Sequence, residues 1–74
     1  MIEYPHTFNN GTKGKIIIDS AGYKEYWYND QIHNEDGPAI IYSNGSKYWY
    51  YHGKKIYVKS QKEFERYLKL LVFI

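Results

Sequence analysis

His33, Glu35 and Asp36 stand close enough in the chain for one turn to bring an imidazole and two carboxylates together. Such a group can hold a metal ion or work as a general acid–base set. The residues that follow, Gly37-Pro38, favour a structural use instead. In a tight turn an Asp accepts backbone amides, and a His packs or bonds across the hairpin. No second histidine lies near His33 in sequence, and there is no cysteine anywhere to complete a ligand set. No glycine-rich phosphate loop precedes a helix. Ser20, Ser43, Ser46 and Ser60 fall in turns or at a helix cap, without the partners of a nucleophilic triad. The sequence is therefore read as holding no catalytic residues, no metal and no cofactor, and as not encoding an enzyme.

The aromatic residues offer a different chemistry. Ten Tyr, two Trp and three Phe make up 20% of the chain, which is enough for rings to serve both core and surface. Rigid amphipathic rings bind proteins at low entropic cost, and they stack on nucleobases when lysines are interleaved with them. Alternation along a strand puts Tyr26, Tyr28, Trp49 and Tyr51 on one face with Lys24 and Lys47. Trp27, Tyr48 and Tyr50 fall on the other. One helix cannot cover both faces of such a sheet, so Trp27, Tyr28, Tyr48, Tyr50 and Tyr51 are the candidate partner-binding residues.

These residues are carried by an internal repeat. Residues 14–36 and 37–59 align over 23 positions, and seven are identical: Gly14/Gly37, Ile17/Ile40, Ile18/Ile41, Ser20/Ser43, Gly22/Gly45, Lys24/Lys47 and Tyr28/Tyr51. Each repeat reads as a β-hairpin. A short apolar run, 15–19 or 39–42, leads into Ser20-Ala21-Gly22 or Ser43-Asn44-Gly45, with positive φ expected at Ala21-Gly22 and Asn44-Gly45. An aromatic return strand follows, 23–28 or 46–51. Asn29-Asp30 and His52-Gly53 mark second turns, with short strands near 31–33 and 55–59. Pro38 lacks the ladder donor and is placed at the start of its strand.

At Ser60 the pattern changes to a helix. Ser60-Gln61-Lys62-Glu63 fits a capping box, in which Ser receives the third amide and Glu reaches back to the cap amide. Phe64, Tyr67, Leu68, Leu71 and Val72 then recur at helical spacing. The final Leu70-Leu71-Val72-Phe73-Ile74 is apolar all round, which predicts a homodimer with Leu70, Phe73 and Ile74 at its interface. The expected architecture is mainly β with one helix (β+α), an antiparallel β-meander of two 23-residue hairpin repeats closed by a C-terminal α-helix. It divides a single domain into an N-terminal segment 1–13, repeats 14–36 and 37–59, and a helical segment 60–74.

The run from Gly22 through Tyr26-Trp27-Tyr28 to His33-Asn34-Glu35-Asp36-Gly37-Pro38-Ala39 resembles the MORN-like repeats of bacteriophage and bacterial proteins. So does Asn44-Gly45-Ser46-Lys47-Tyr48-Trp49 with its closing Gly53-Lys54. The resemblance spans about residues 14–69. It implies twisted antiparallel hairpins used as binding scaffolds, with Trp49 and Tyr26 at the repeat's core aromatic position, and no catalytic residue.

Size and charge narrow the function further. A chain of 74 residues buries about 63% of its surface on folding, a marginal core. The net charge is +2, too small by itself to imply nucleic acid. It is unevenly spread: residues 1–36 hold six acids against three lysines, and residues 37–74 hold seven basic residues against two acids. No apolar run is long enough for a membrane span, and the first residues lack the pattern of a signal peptide. The expectation is a cytoplasmic protein–protein interaction module, a small phage-type protein that binds and inhibits a host or bacterial factor such as a defence or toxin component. The rival readings are a single-stranded nucleic-acid binder using a Lys/Tyr/Trp face, and a structural or assembly protein.

Overall fold

A computed structural model of the chain describes residues 2–72. Seven strands and one helix follow in chain order: β1 (Ile2–Thr7), β2 (Lys13–Ile18), β3 (Lys24–Tyr28), β4 (Gln31–Ile32), β5 (Ile40–Ile41), β6 (Lys47–Tyr51), β7 (Lys54–Ile56) and α1 (Gln61–Val72). All strand pairs are antiparallel, in the order β1-β2-β3-β5-β6-β7. The outer edge of β3 is shared. Its last two residues pair with β4 and its first two with β5. The loop of residues 33–39 is thereby held in the sheet between the two repeats.

The hairpin turns use local chemistry. Gly22 and Gly45 have φ of 93° and 92°, and the preceding Ala21 and Asn44 do not have positive φ, contrary to expectation. The pattern is a three-residue connection in which only the last residue needs the left-handed region, so only the glycine is constrained. The second turns differ. Both residues have positive φ in Asn29-Asp30 (52° and 62°) and in His52-Gly53 (51° and 82°), as a tight two-residue hairpin requires.

The segment 1–13, read from sequence as lying outside the repeats, contributes β1. It pairs with β2 over six residues, from Ile2↔Ile18 to Thr7↔Lys13. Its turn reuses the repeats' design: Phe8 N–H donates to Thr12 O and Gly11 N–H to Phe8 O, with Gly11 at φ 90°. Pro5 is tolerated because β1 is an edge strand and needs no donor on its outer side.

The helix closes one face of the sheet. Phe64 is fully buried and packs on Trp49 and Ile56, with Tyr51, Val58, Tyr67 and Leu68 around them. Trp49 Nε1–H donates to Gln61 Oε1 at 2.9 Å, and Gln61 Nε2–H donates to Asp36 O at 3.3 Å, fastening the first turn of α1 to both repeats. Ser60 Oγ accepts the Glu63 amide at 3.2 Å. The Glu63 carboxylate reaches the Lys59 amide at 2.9 Å, one residue before the cap amide expected. At the far end Leu70 and Leu71 are exposed. Phe73 and Ile74, the other residues assigned to self-association, lie outside the described residues.

Candidate interaction surface

Register sorts the aromatic side chains onto two faces. On the helix-bearing face, Tyr26, Tyr28, Trp49 and Tyr51 alternate with residues pointing the other way. Trp49 is buried and Tyr26 half-buried under His6, whose ring meets it edge-on at 5.1 Å. Tyr28 and Tyr51, assigned from sequence to partner binding, are instead half-buried around His33, with ring centroids 5.6 and 5.1 Å from it. Phe8 closes the same cluster at 5.7 Å from His33. Phe8, at the turn after β1 that the sequence reading did not place, meets Tyr28 edge-on, while Tyr51 packs on His33 and against the cluster under α1.

His33 is also where the candidate ligand set is found. The fold brings a second histidine to it: the His52 ring stacks on His33 with centroids 4.3 Å apart and planes 26° from parallel. His33, Glu35 and His52 thus stand together, which corrects the premise that His33 is alone. Asp36 turns away, and its Oδ2 accepts the Asn9 amide at 2.8 Å.

The hydrogen bonds nevertheless argue against a cation. His33 Nδ1 accepts the His52 backbone N–H at 2.8 Å, which places the ring proton on Nε2, facing Glu35 Oε1 at 3.3 Å. Coordination through Nε2 would push that proton to Nδ1, against the amide donor. Zinc titrated into the protein should give no binding heat in calorimetry. Micromolar binding that is lost in His52→Ala would overturn this assignment.

The same cluster sets a pH dependence. Burial, and then the charge of His52, hold the His33 imidazole below its ordinary 6.5, with the Glu35 carboxylate pulling the other way. The unfolded chain therefore takes up the proton first as pH falls. The stabilisation is complete above pH 6.5 and is lost on descending below it. The melting temperature should fall between about pH 7.5 and 5.5, and fall less in His52→Gln. A flat or rising melting temperature across that window would contradict it.

The opposite face carries Trp27, Tyr48 and Tyr50, as alternation predicts. Trp27 is half-buried, its Nε1–H donating to Glu25 Oε1 at 2.9 Å. The Tyr23 hydroxyl donates to the same carboxylate, and burial together with Glu25 raises its pKa. Tyr50 is half-buried opposite Lys55. Of the five residues assigned to partner binding, only Tyr48 is exposed.

Tyr48 belongs to a stripe that sequence reasoning did not assemble. Tyr23 and Tyr42 lie 5.1 Å apart, and Tyr42 and Tyr48 meet edge-on at 5.7 Å. Lys55 Nζ then sits 4.7 Å from the Tyr48 ring centre and 5.3 Å from that of Tyr57. Tyr42 is 43% and Tyr57 87% exposed, so the rings form a surface rather than a core.

No protein family, curated protein or solved structure matches this chain. The functional reading therefore rests on the chemistry of its surfaces. A signal for the stripe was present in the repeat. Tyr42, Tyr48 and Tyr57 stand 23 positions after Asp19, Glu25 and Asn34, so repeat two has tyrosine where repeat one is polar. In repeat one, Asp19 Oδ1 accepts the Ala21 and Tyr23 amides, and Asn34 bonds Pro38 O and the Asp36 amide. Positions that hold turns together in one copy carry exposed rings in the other. No helix of the described residues is long and apolar enough to cross a membrane.

Proposed function

We propose that this chain is a non-enzymatic protein–protein interaction module that binds through the face opposite α1. One observation carries the reading: the rings of Tyr23, Tyr42 and Tyr48, joined to Tyr57 through the Lys55 ammonium, form a stripe that ends, unlike a core, in exposed residues. Tyrosine is the residue type that supplies binding area at low entropic cost. The resemblance to MORN-like repeats and the small size support placing it among phage-type proteins that bind and inhibit a host factor, such as a defence or toxin component, in the host cytoplasm.

Affinity capture from host lysate, comparing the wild type with Tyr42→Ser/Tyr48→Ser, tests this. A protein enriched by the wild type should be lost by the variant at unchanged melting temperature. Equal capture by both would defeat the proposal.

Self-association is part of the same proposal. It is supported by Leu70, which is 60% exposed on α1 beside the exposed Leu71. Light scattering during size exclusion should give twice the monomer mass of 8.9 kDa, reduced to the monomer by Leu70→Glu. A wild-type mass near 8.9 kDa would remove the dimer and leave the binding face untouched.

A further inference from the structure

Building on the interaction reading, we propose that the groove at the splayed end of β6 and β7 docks an acidic, extended segment of a partner protein. The groove has a backbone cause. Trp49↔Ile56 is the last pair of the β6–β7 ladder at this end. Val58 N–H then donates to Ile56 O at 3.0 Å, a tight turn that carries residues 57–59 away from Lys47 and Tyr48. A groove of about 280 Å³ opens between them. Ile56 and Val58 give it an apolar lining, and Tyr48 and Tyr57 line it with rings.

Its charge is of one sign. Lys47, Lys55 and Lys59 line the groove, and no carboxylate does. The ion pairs among the described residues are Lys15–Glu3 and His33–Glu35, so none of the three lysines is neutralised by a described acid. The repeat sharpens the contrast. Val58 and Lys59 stand 23 positions after Glu35 and Asp36, so repeat one carries acids where repeat two carries an apolar residue and a cation. The complement of an apolar groove with three ammonium groups that no described acid pairs is a chain that alternates carboxylates with apolar side chains.

The position of Lys55 favours the acidic chain over a nucleic-acid strand. Its ammonium group already lies over both tyrosine rings. A base stacking on the ring faces that Lys55 covers would have to displace that cation, whereas a carboxylate meets it without disturbing either ring.

Fluorescence anisotropy with a fluorescein-labelled dodecapeptide of alternating Glu and Leu tests the proposal. Controls are the corresponding Lys/Leu peptide and a labelled oligothymidylate. The Glu/Leu peptide should bind in preference to both controls. Binding should weaken at least about tenfold in Lys55→Glu and at high salt. Circular dichroism checks that the variant is folded, and Lys59→Glu, at an exposed position, repeats the test at a second site.

Three results would overturn the groove: no binding of the Glu/Leu peptide, binding indifferent to both charge reversals, or preference for the oligothymidylate. A change in the protein's own oligomeric mass in Lys55→Glu would assign the groove to a second copy and also overturn it. If the peptide fails while capture from lysate still depends on Tyr42 and Tyr48, the groove falls and the wider interaction face stands. If the peptide binds while that capture fails, the reverse holds.

Discussion

Phe64→Ala should remove about 3–5 kcal/mol of folding stability, the range for truncating a buried phenylalanine. A chain of 74 residues has roughly 4–11 kcal/mol in total, so the loss is a large share of the stability and, at the lower end of that range, unfolds the variant at room temperature. The reason is the narrowness of the core. Phe64 has no exposed surface and joins Trp49 and Ile56 in one cluster under α1. Its ring centre lies 6.4 Å from that of Trp49. Without it, Tyr67 and Leu68 lose the residue they flank, and the helix retains mainly its Gln61 and Ser60 bonds. Urea denaturation read by tryptophan fluorescence measures the change. Tyr57→Ala, at an 87% exposed ring, should shift stability by no more than about 0.5 kcal/mol. Near-equal effects of the two substitutions would mean that α1 does not close the core.

Gly14→Ala should be the costliest single-methyl change in the sheet, at about 3 kcal/mol. A Cβ at Gly14 would overlap the Trp27 carbonyl oxygen and stand 2.8 Å from Phe8 Cε2. The first obstacle is backbone next to the β2–β3 ladder, where Lys15 pairs with Trp27, so it cannot move aside as a flexible side chain would. The second belongs to the buried Phe8 in the His33 cluster. Gly37 is its repeat partner and provides the control. A Cβ there would find its nearest atoms at 3.9 Å, on Asn34 and Gln61, so Gly37→Ala should stay within about 1 kcal/mol. Thermal melts of both variants decide the matter. Equal losses would show that the two glycines share a conformational role, and a silent Gly14→Ala would refute the close approach.

The two glycines show how far a repeat can be read. Positions 14 and 37 hold the same residue in the repeat, while the reason for a glycine differs between copies. The sequence determined whatever depends on near neighbours. Gly22 and Gly45 announce their turns because only the left-handed region closes a three-residue connection. Ser60 and Glu63 announce the helix start because orphan amides need acceptors within the first turn. Trp49, which the resemblance to MORN-like repeats placed in the core, is buried there, but alternation alone put Tyr28 and Tyr51 on the same face and could not rank them.

Tertiary structure decided everything that depends on which strands become neighbours. β1 has no copy in the repeat, and it is a strand because β2 offers it a free edge. Its turn then sets Phe8 against Tyr28 and His33, and Tyr51 is covered by His33 and the cluster under α1. His52 reaches His33 across 19 positions because the loop held beside β3 also contacts β6, through Asn34 N–H to Tyr50 O at 3.2 Å. Tyr42 and Tyr57 fall outside the strands, where alternation assigns no face. Their place in the exposed stripe was decided by the turn between β5 and β6 and by the splay after Ile56. Pattern in a sequence reports local backbone preference, whereas a surface is made by side chains from distant segments that only the folded sheet brings together.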